Sequence, residues 1–213
     1  MNVKQLEQAV GGLSKPSKMP GFAYGTPAAD CKIGSILRAA GKHTVCGSCY
    51  AHKGMYGFPV VKAAQKRRLA ILLADPNAWA DKMVLLLKRK YARKIGAERV
   101  FRWHDSGDVQ SVDHLEAIFK IANALPDIRF WLPTKEYALV RKFLQENACP
   151  QNLVIRVSAP VLGSAAPAIP GTVSSTVEAG IGYACPAPKQ GNACEDCRAC
   201  WDNSVLSVDY HRH

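Results

Sequence analysis

No apolar run in this chain approaches the ~20 residues needed to cross a bilayer, so a membrane-spanning helix is not expected. The N-terminus, Met-Asn-Val-Lys-Gln-Leu-Glu, lacks a signal-peptide core, which leads us to expect a cytoplasmic protein in the host cell cytosol, where thiols stay reduced. There is no Walker A loop, no G-x-G-x-x-G turn and no G-x-S-x-G elbow, which leaves the usual nucleotide-binding and hydrolase classes without support. Acidic residues are also scarce. Only 17 face 28 lysines and arginines, giving +11 and making nucleic acid or another polyanion a candidate partner. With 48% apolar and 21% charged residues, the composition is that of a folded globular chain.

Cysteine is the residue present in unusual number, eight in 213. In a reduced compartment that number points to metal rather than disulfides. The chain reads as one domain, 1–213, in three parts. Residues 1–58 are rich in Gly, Pro and Lys and read as mostly loop; residues 59–158 alternate helical and strand patterns; residues 159–213 open with repeated prolines and carry a second cysteine set.

The middle part predicts fold class directly. Helices are expected over 60–74, from Asp75-Pro76 onward, over about 112–124, and over 135–147; strands over 99–103, 128–132 and 153–157. Strands alternating with helices imply an α/β fold with a parallel sheet, here a partial (β/α) barrel-like one flanked by Cys-rich, loop-dominated N- and C-terminal segments. Chemistry is then expected beyond the C-terminal strand ends.

Cys185-Pro186 with Cys194-x-x-Cys197-x-x-Cys200 puts three thiols on one tight loop and a fourth on a remote Cys-Pro, a spacing that suits a [4Fe–4S] cluster better than zinc. Cys31, Cys46 and Cys49 form a second constellation. As a three-cysteine [4Fe–4S] site it would leave one iron open for a small-molecule ligand; as a zinc site it would need His43 or His52. Cys149 reads as a small apolar core residue, with a fourth-ligand role as the alternative.

His104-Asp105-Ser106-Gly107-Asp108 follows the first predicted strand of the middle part. His104 can shuttle a proton there, and Asp105 or Asp108 can bind a hydroxyl or amine. Equally, such residues make turns and cap the next helix, as Ser111 can. Ser106 and Gly107 are candidate cofactor contacts, as is Tyr50 beside Cys49. Trp103 and Trp131 read as packing. Lys62, Lys66, Arg67 and Arg68 with the run Lys88 to Lys94 can form a stripe for phosphate contacts, or simply a solvated helix face.

The segments Lys18-Met19-Pro20-Gly21, Val45 to Ala51, Phe101 to Asp108, Phe130 to Thr134, and Cys185 to Gln190 through Cys200-Trp201 resemble the phage gene-product-88 family. That resemblance implies a viral or prophage origin and no particular activity. More distantly, a three-cysteine site ahead of a β/α partial barrel, with an auxiliary four-cysteine site, resembles the radical S-adenosylmethionine enzymes. Their loop reads Cys-x-x-x-Cys-x-x-Cys and their open iron binds the amino acid part of S-adenosylmethionine. Here fourteen residues separate Cys31 from Cys46, Tyr50 follows the last cysteine, and no Gly-Gly-Glu-like segment follows the first strand. The resemblance implies two [4Fe–4S] clusters with S-adenosylmethionine as a possible further cofactor. A cluster-bearing sensor that binds nucleic acid, or a zinc-stabilised interaction protein, are the other readings.

Overall fold

A computed structural model describes residues 1–95 and 98–212. Its frame is one parallel sheet, with seven strands among the described residues in the order β1-β2-β3-β4-β5-β7-β6. The strands are β1 (Phe22–Tyr24), β2 (Val100–Trp103), β3 (Arg129–Thr134), β4 (Leu153–Ser158), β5 (Val173–Val177), β6 (Tyr183–Ala184) and β7 (Ser207–Tyr210). Every neighbouring pair is parallel. Near-sequential order is the winding of a barrel, left open here between β1 and β6. The expected α/β class is therefore the observed one.

The helices are α1 (Val3–Val10), α2 (Lys32–Ala40), α3 (Pro59–Ala74), α4 (Pro76–Tyr91), α5 (Val112–Ala124) and α6 (Tyr137–Glu146). Local chemistry sets their starts. Asp75 accepts from Ala78 N at 2.9 Å ahead of Pro76, and Ser111 accepts from His114 N at 3.2 Å. Alternation in the strands divides the sheet's faces. Phe101, Trp103, Phe130, Leu132, Leu153, Ile155 and Val157 join the core formed with α1, α4, α5 and α6. The alternate residues Val100 and Trp131 pack instead with Cys200, Trp201 and Val208 of the C-terminal segment. Strands covered on both faces read as nearly unbroken apolar runs, which is why β2, β3 and β4 were legible.

Residues 1–58 are loop-dominated, yet two helices and an edge strand arise there where no apolar period is visible. Helix α1 is defined by its ends: Asn2 and Gln5 exchange side-chain and backbone bonds at 2.8 and 2.9 Å, and Gly11 closes it in the left-handed region at φ 82°. Helix α2 has no buried residue, so it carries no core-facing stripe to read.

Arg156, at an inner position of β4, ties the cysteine-rich C-terminal segment to the sheet. It is 0% exposed. Its guanidinium donates to the carbonyls of Ser174 (2.7 Å), Ala199 (3.0 Å), Val205 (3.1 Å) and Asp202 (3.3 Å). Trp201 adds a bond from Nε1 to Phe101 O at 2.8 Å.

Candidate functional site

The first cysteine set lies over the C-terminal ends of the central strands. Cys31 is the N-cap of α2, Cys46 sits in a 3₁₀ turn over Val45–Ser48, and Cys49 follows it. Thr44 caps that turn, accepting from Gly47 N at 2.9 Å, while Val45 N donates to Pro160 O beyond β4 at 2.9 Å. Helix α2 is anchored at its start from two strand ends. Glu136, after β3, accepts from Ile33 N at 3.1 Å, and Lys32 Nζ donates to Gln110 O, after β2, at 2.7 Å. The helix N-terminus therefore points at the strand ends, where its dipole favours negative charge such as thiolate.

The thiols of this set converge. A Cβ placed on Gly34 would lie 3.6 Å from Cys31 Sγ and 3.7 Å from Cys46 Sγ. Burial pushes the Cys31 thiol up, with Asp108, Cys46, Cys49 and Glu136 adding to it. Burial also raises Cys46, against the pull of Lys135. Such neutral thiols are costly to ionise unless a cation or cluster supplies positive charge.

The second set gathers on the inner face of the sheet, where Cys185 and Cys200 pack with Val100 and Trp131. Cys185 extends β6 through a bond from its N to Asp209 O at 2.9 Å, and Cys194 N donates to Lys18 O at 2.9 Å. Tyr210 hydroxyl lies 3.0 Å from Cys200 Sγ, and Tyr183 hydroxyl 3.7 Å from Cys197 Sγ. Burial pushes Cys200 up to about 12 and also raises Cys185 and Cys194. Neighbouring thiols of the set add to this, Cys197 raising Cys185 and Cys194, and Cys185 raising Cys194 and Cys200, as members of one group do.

Among the described residues, no group of three or more His, Cys, Asp or Glu side chains is arranged to hold a metal ion. A cuboidal cluster distributes its thiolates over separate irons, so its ligands need not meet at one point. The donor set, all thiol and in groups of three and four, fits such clusters in kind. Cys149 is removed from both groups. It precedes β4, at the sheet end opposite the first set, and packs against the main core with its thiol 3.4 Å from Leu153 O.

The loop after β2 is built tightly. His104 takes the left-handed region at φ 54°, where a non-glycine residue is strained. Gly107 has φ 86°, and a Cβ there would collide with Thr26 Oγ1; a Cβ on Gly25 would collide with Asp105 Oδ1. Asp108 ties two loops together, accepting from Val109 N at 2.8 Å and Lys135 N at 2.9 Å. Burial raises it to about 6, against hydrogen bonds from Thr134, Lys135 and Val109. His104 and His114 are buried with ring centroids 5.2 Å apart, and burial keeps both neutral, His114 at about 3.

Several polar atoms at these strand ends have no hydrogen-bond partner among the described residues: both ring nitrogens of His104, Asp105 Oδ1, Ser106 Oγ and Thr26 Oγ1. Atoms so buried call for ordered water or a ligand. Tyr50 is engaged, donating to Asp105 O at 2.6 Å and accepting from Arg102 at 3.0 Å.

Sequence reasoning missed Glu136, Thr26, Arg102 and Arg156. Glu136 follows a predicted strand, as the loop after β2 does, and Arg156 interrupts the apolar run Leu153 to Val157; both were available signals. The basic stripe is partly corrected. Arg68 is 9% exposed and donates to Gly12 O at 3.0 Å and Ser14 Oγ at 2.9 Å, so it belongs to the interior. Lys90 pairs with Glu7 at 2.6 Å and Lys94 with Glu98 at 3.2 Å.

The family model for gene product 88 matches residues 2–171, which takes in α1 to α6, the first cysteine set and the loop after β2. The chain belongs to the phage gene product 88 family. The matched stretch of the family stops before Cys185, so the second cysteine set lies outside it, although part of the resemblance was drawn from there. No curated protein and no solved structure shows a significant match to the chain. Among the described residues, no helix is long and apolar enough to cross a membrane.

Proposed function

We propose that this protein carries two [4Fe–4S] clusters and acts as an iron–sulfur enzyme of redox or radical S-adenosylmethionine type. The observation that supports the reading is the gathering of seven of the eight cysteines into two groups. Three lie at the C-terminal strand ends, where α/β proteins do chemistry, and four lie on the sheet's inner face. Cys31, Cys46 and Cys49 would hold the first cluster, and Cys185, Cys194, Cys197 and Cys200 the second.

A cluster with three protein ligands supplies an iron that can bind a small molecule and pass one electron to it. The chain's own residues supply the surroundings. The α2 N-terminus stabilises negative charge beside Cys31. Asp105, Ser106 and Thr26 offer unpartnered polar atoms to a ligand at the same strand ends. His104 is buried and neutral, so one ring nitrogen can donate and the other accept a hydrogen bond with a ligand there. Asp108 positions the β2 and β3 loops relative to each other.

Anaerobically purified protein, examined by visible absorption and EPR before and after dithionite, tests this reading. S-adenosylmethionine added to the reduced protein should alter the EPR signal of one cluster and leave the other unchanged. A spectrum indifferent to it would reduce the proposal to a redox protein without that cofactor. A colourless zinc protein would end it. Salt-dependent nucleic-acid binding that follows cluster oxidation state would favour the sensor reading instead.

A further inference from the structure

Two guanidiniums project from the inner sheet face toward the four-cysteine group. Neither Arg102 nor Arg156 has a carboxylate within ion-pair distance among the described residues. Arg156 spends its donors on backbone carbonyls rather than on a carboxylate. Arg102 stacks over Trp131 at 4.5 Å from the ring centroid and donates to the Tyr50 hydroxyl at 3.0 Å, with its Nε enclosed and unpartnered among the described residues. Enclosed cations are costly unless anions face them, and one carboxylate faces each: Asp105 lies within the field of Arg102 and Asp202 within that of Arg156. Sulfurs face the same cations: Arg102 stacks on Trp131, which packs with Cys200, and Arg156 donates to Ala199 O beside Cys200, with Cys194 and Cys200 both within the field of Arg102. An oxidised [4Fe–4S] core with four thiolates carries about −2, which cations beside it offset in part.

Arg102 also reaches the other site. Its partner Tyr50 immediately follows Cys49, and that tyrosine donates in turn to Asp105 O in the loop after β2. One arginine thus touches the surroundings of both cysteine groups.

We propose that Arg102 is a positioning residue shared by the two sites, holding the four-cysteine cluster's potential up by its charge and, through Tyr50, fixing the loop that bears Cys49. This rests on the two-cluster reading. A cation near a cluster favours its reduced, more negative form, so loss of the charge lowers the potential.

The test is an EPR-monitored redox titration of the anaerobically purified, cluster-loaded protein with its variants. Arg102→Gln should lower the midpoint of the four-cysteine cluster by a tenfold shift in the one-electron equilibrium, about 59 mV or more. Arg102→Lys, which keeps the charge, should restore most of it. Tyr50→Phe should leave that midpoint at the wild-type value while changing the EPR signal of the three-cysteine cluster, and it serves if the glutamine variant does not fold. Equal midpoints in wild type and Arg102→Gln, an equal fall in Arg102→Lys, or an unchanged three-cysteine signal in Tyr50→Phe would overturn the proposal with the two-cluster reading intact. Wild-type protein without iron and sulfide would overturn both together.

Discussion

Replacing Arg156 with alanine should detach the C-terminal cysteine segment from the sheet. Four carbonyls, from Ser174, Ala199, Asp202 and Val205, lose their donor at once. A charged hydrogen bond contributes about 1.5–3 kcal/mol, and a buried acceptor left unpaired costs about 1–3 kcal/mol. These are not additive, because water enters where the segment lifts away, and a cavity replaces a large, fully buried side chain. A loss of about 3–5 kcal/mol is expected, the scale of breaking a buried charge network. Urea unfolding followed by circular dichroism reads the loss, and limited proteolysis should cut first within the 178–206 region. Arg156→Lys keeps one donor cluster but not the fork, and should fall between wild type and alanine. Alanine within about 1 kcal/mol of wild type, with the segment still protected, would refute the assignment of Arg156 as its anchor.

Acid should destabilise the fold through His114. The folded state holds it neutral with a pKa of about 3, against 6.5 in the open chain, so the unfolded state binds the proton first and stability falls as pH drops from 6.5 toward 3. At pH 5 the loss is about 2 kcal/mol, and His114→Gln should lose that much less between pH 7 and pH 5; an identical loss would contradict it. Gly107→Ala combines a φ of 86° with a clash against Thr26 and should cost about 2 kcal/mol or more, lowering Tm by several degrees; an unchanged Tm would show the loop to be looser than described. Cys149→Ala should cost about 1 kcal/mol by lost packing and leave iron content unchanged, whereas lost iron would make that cysteine a ligand after all.

The parts of the fold visible in the sequence are those whose burial imposes a period. Strands β2, β3 and β4 are covered on both faces and largely apolar, and α4 and α5 begin at side-chain caps, so their positions follow from local rules. Helix α2 and strands β1 and β6 escaped notice because their form depends on partners distant in the chain. Helix α2 buries nothing and is held by bonds to Glu136 and Gln110, and β6 is two residues long. Cysteine spacing pointed to both thiol groups without any fold. What spacing cannot convey is that Arg102 lies between them, since only the sheet's pleat turns Arg102 inward while Phe101 and Trp103 face the helices. The loop from His104 to Asp108 was legible as a place, not as a set of roles. Asp108 spends its carboxylate on backbone donors, whereas His104, Asp105 and Ser106 keep polar atoms without partners among the described residues.

The most direct measurement is iron, acid-labile sulfide and zinc per chain after anaerobic purification of the full-length protein. Two cubane clusters predict about eight irons and eight sulfides, falling to about four of each in Cys46→Ser. Zinc without sulfide would contradict the account, leaving the cysteines as structural ligands and the strand-end loops without an electron to use.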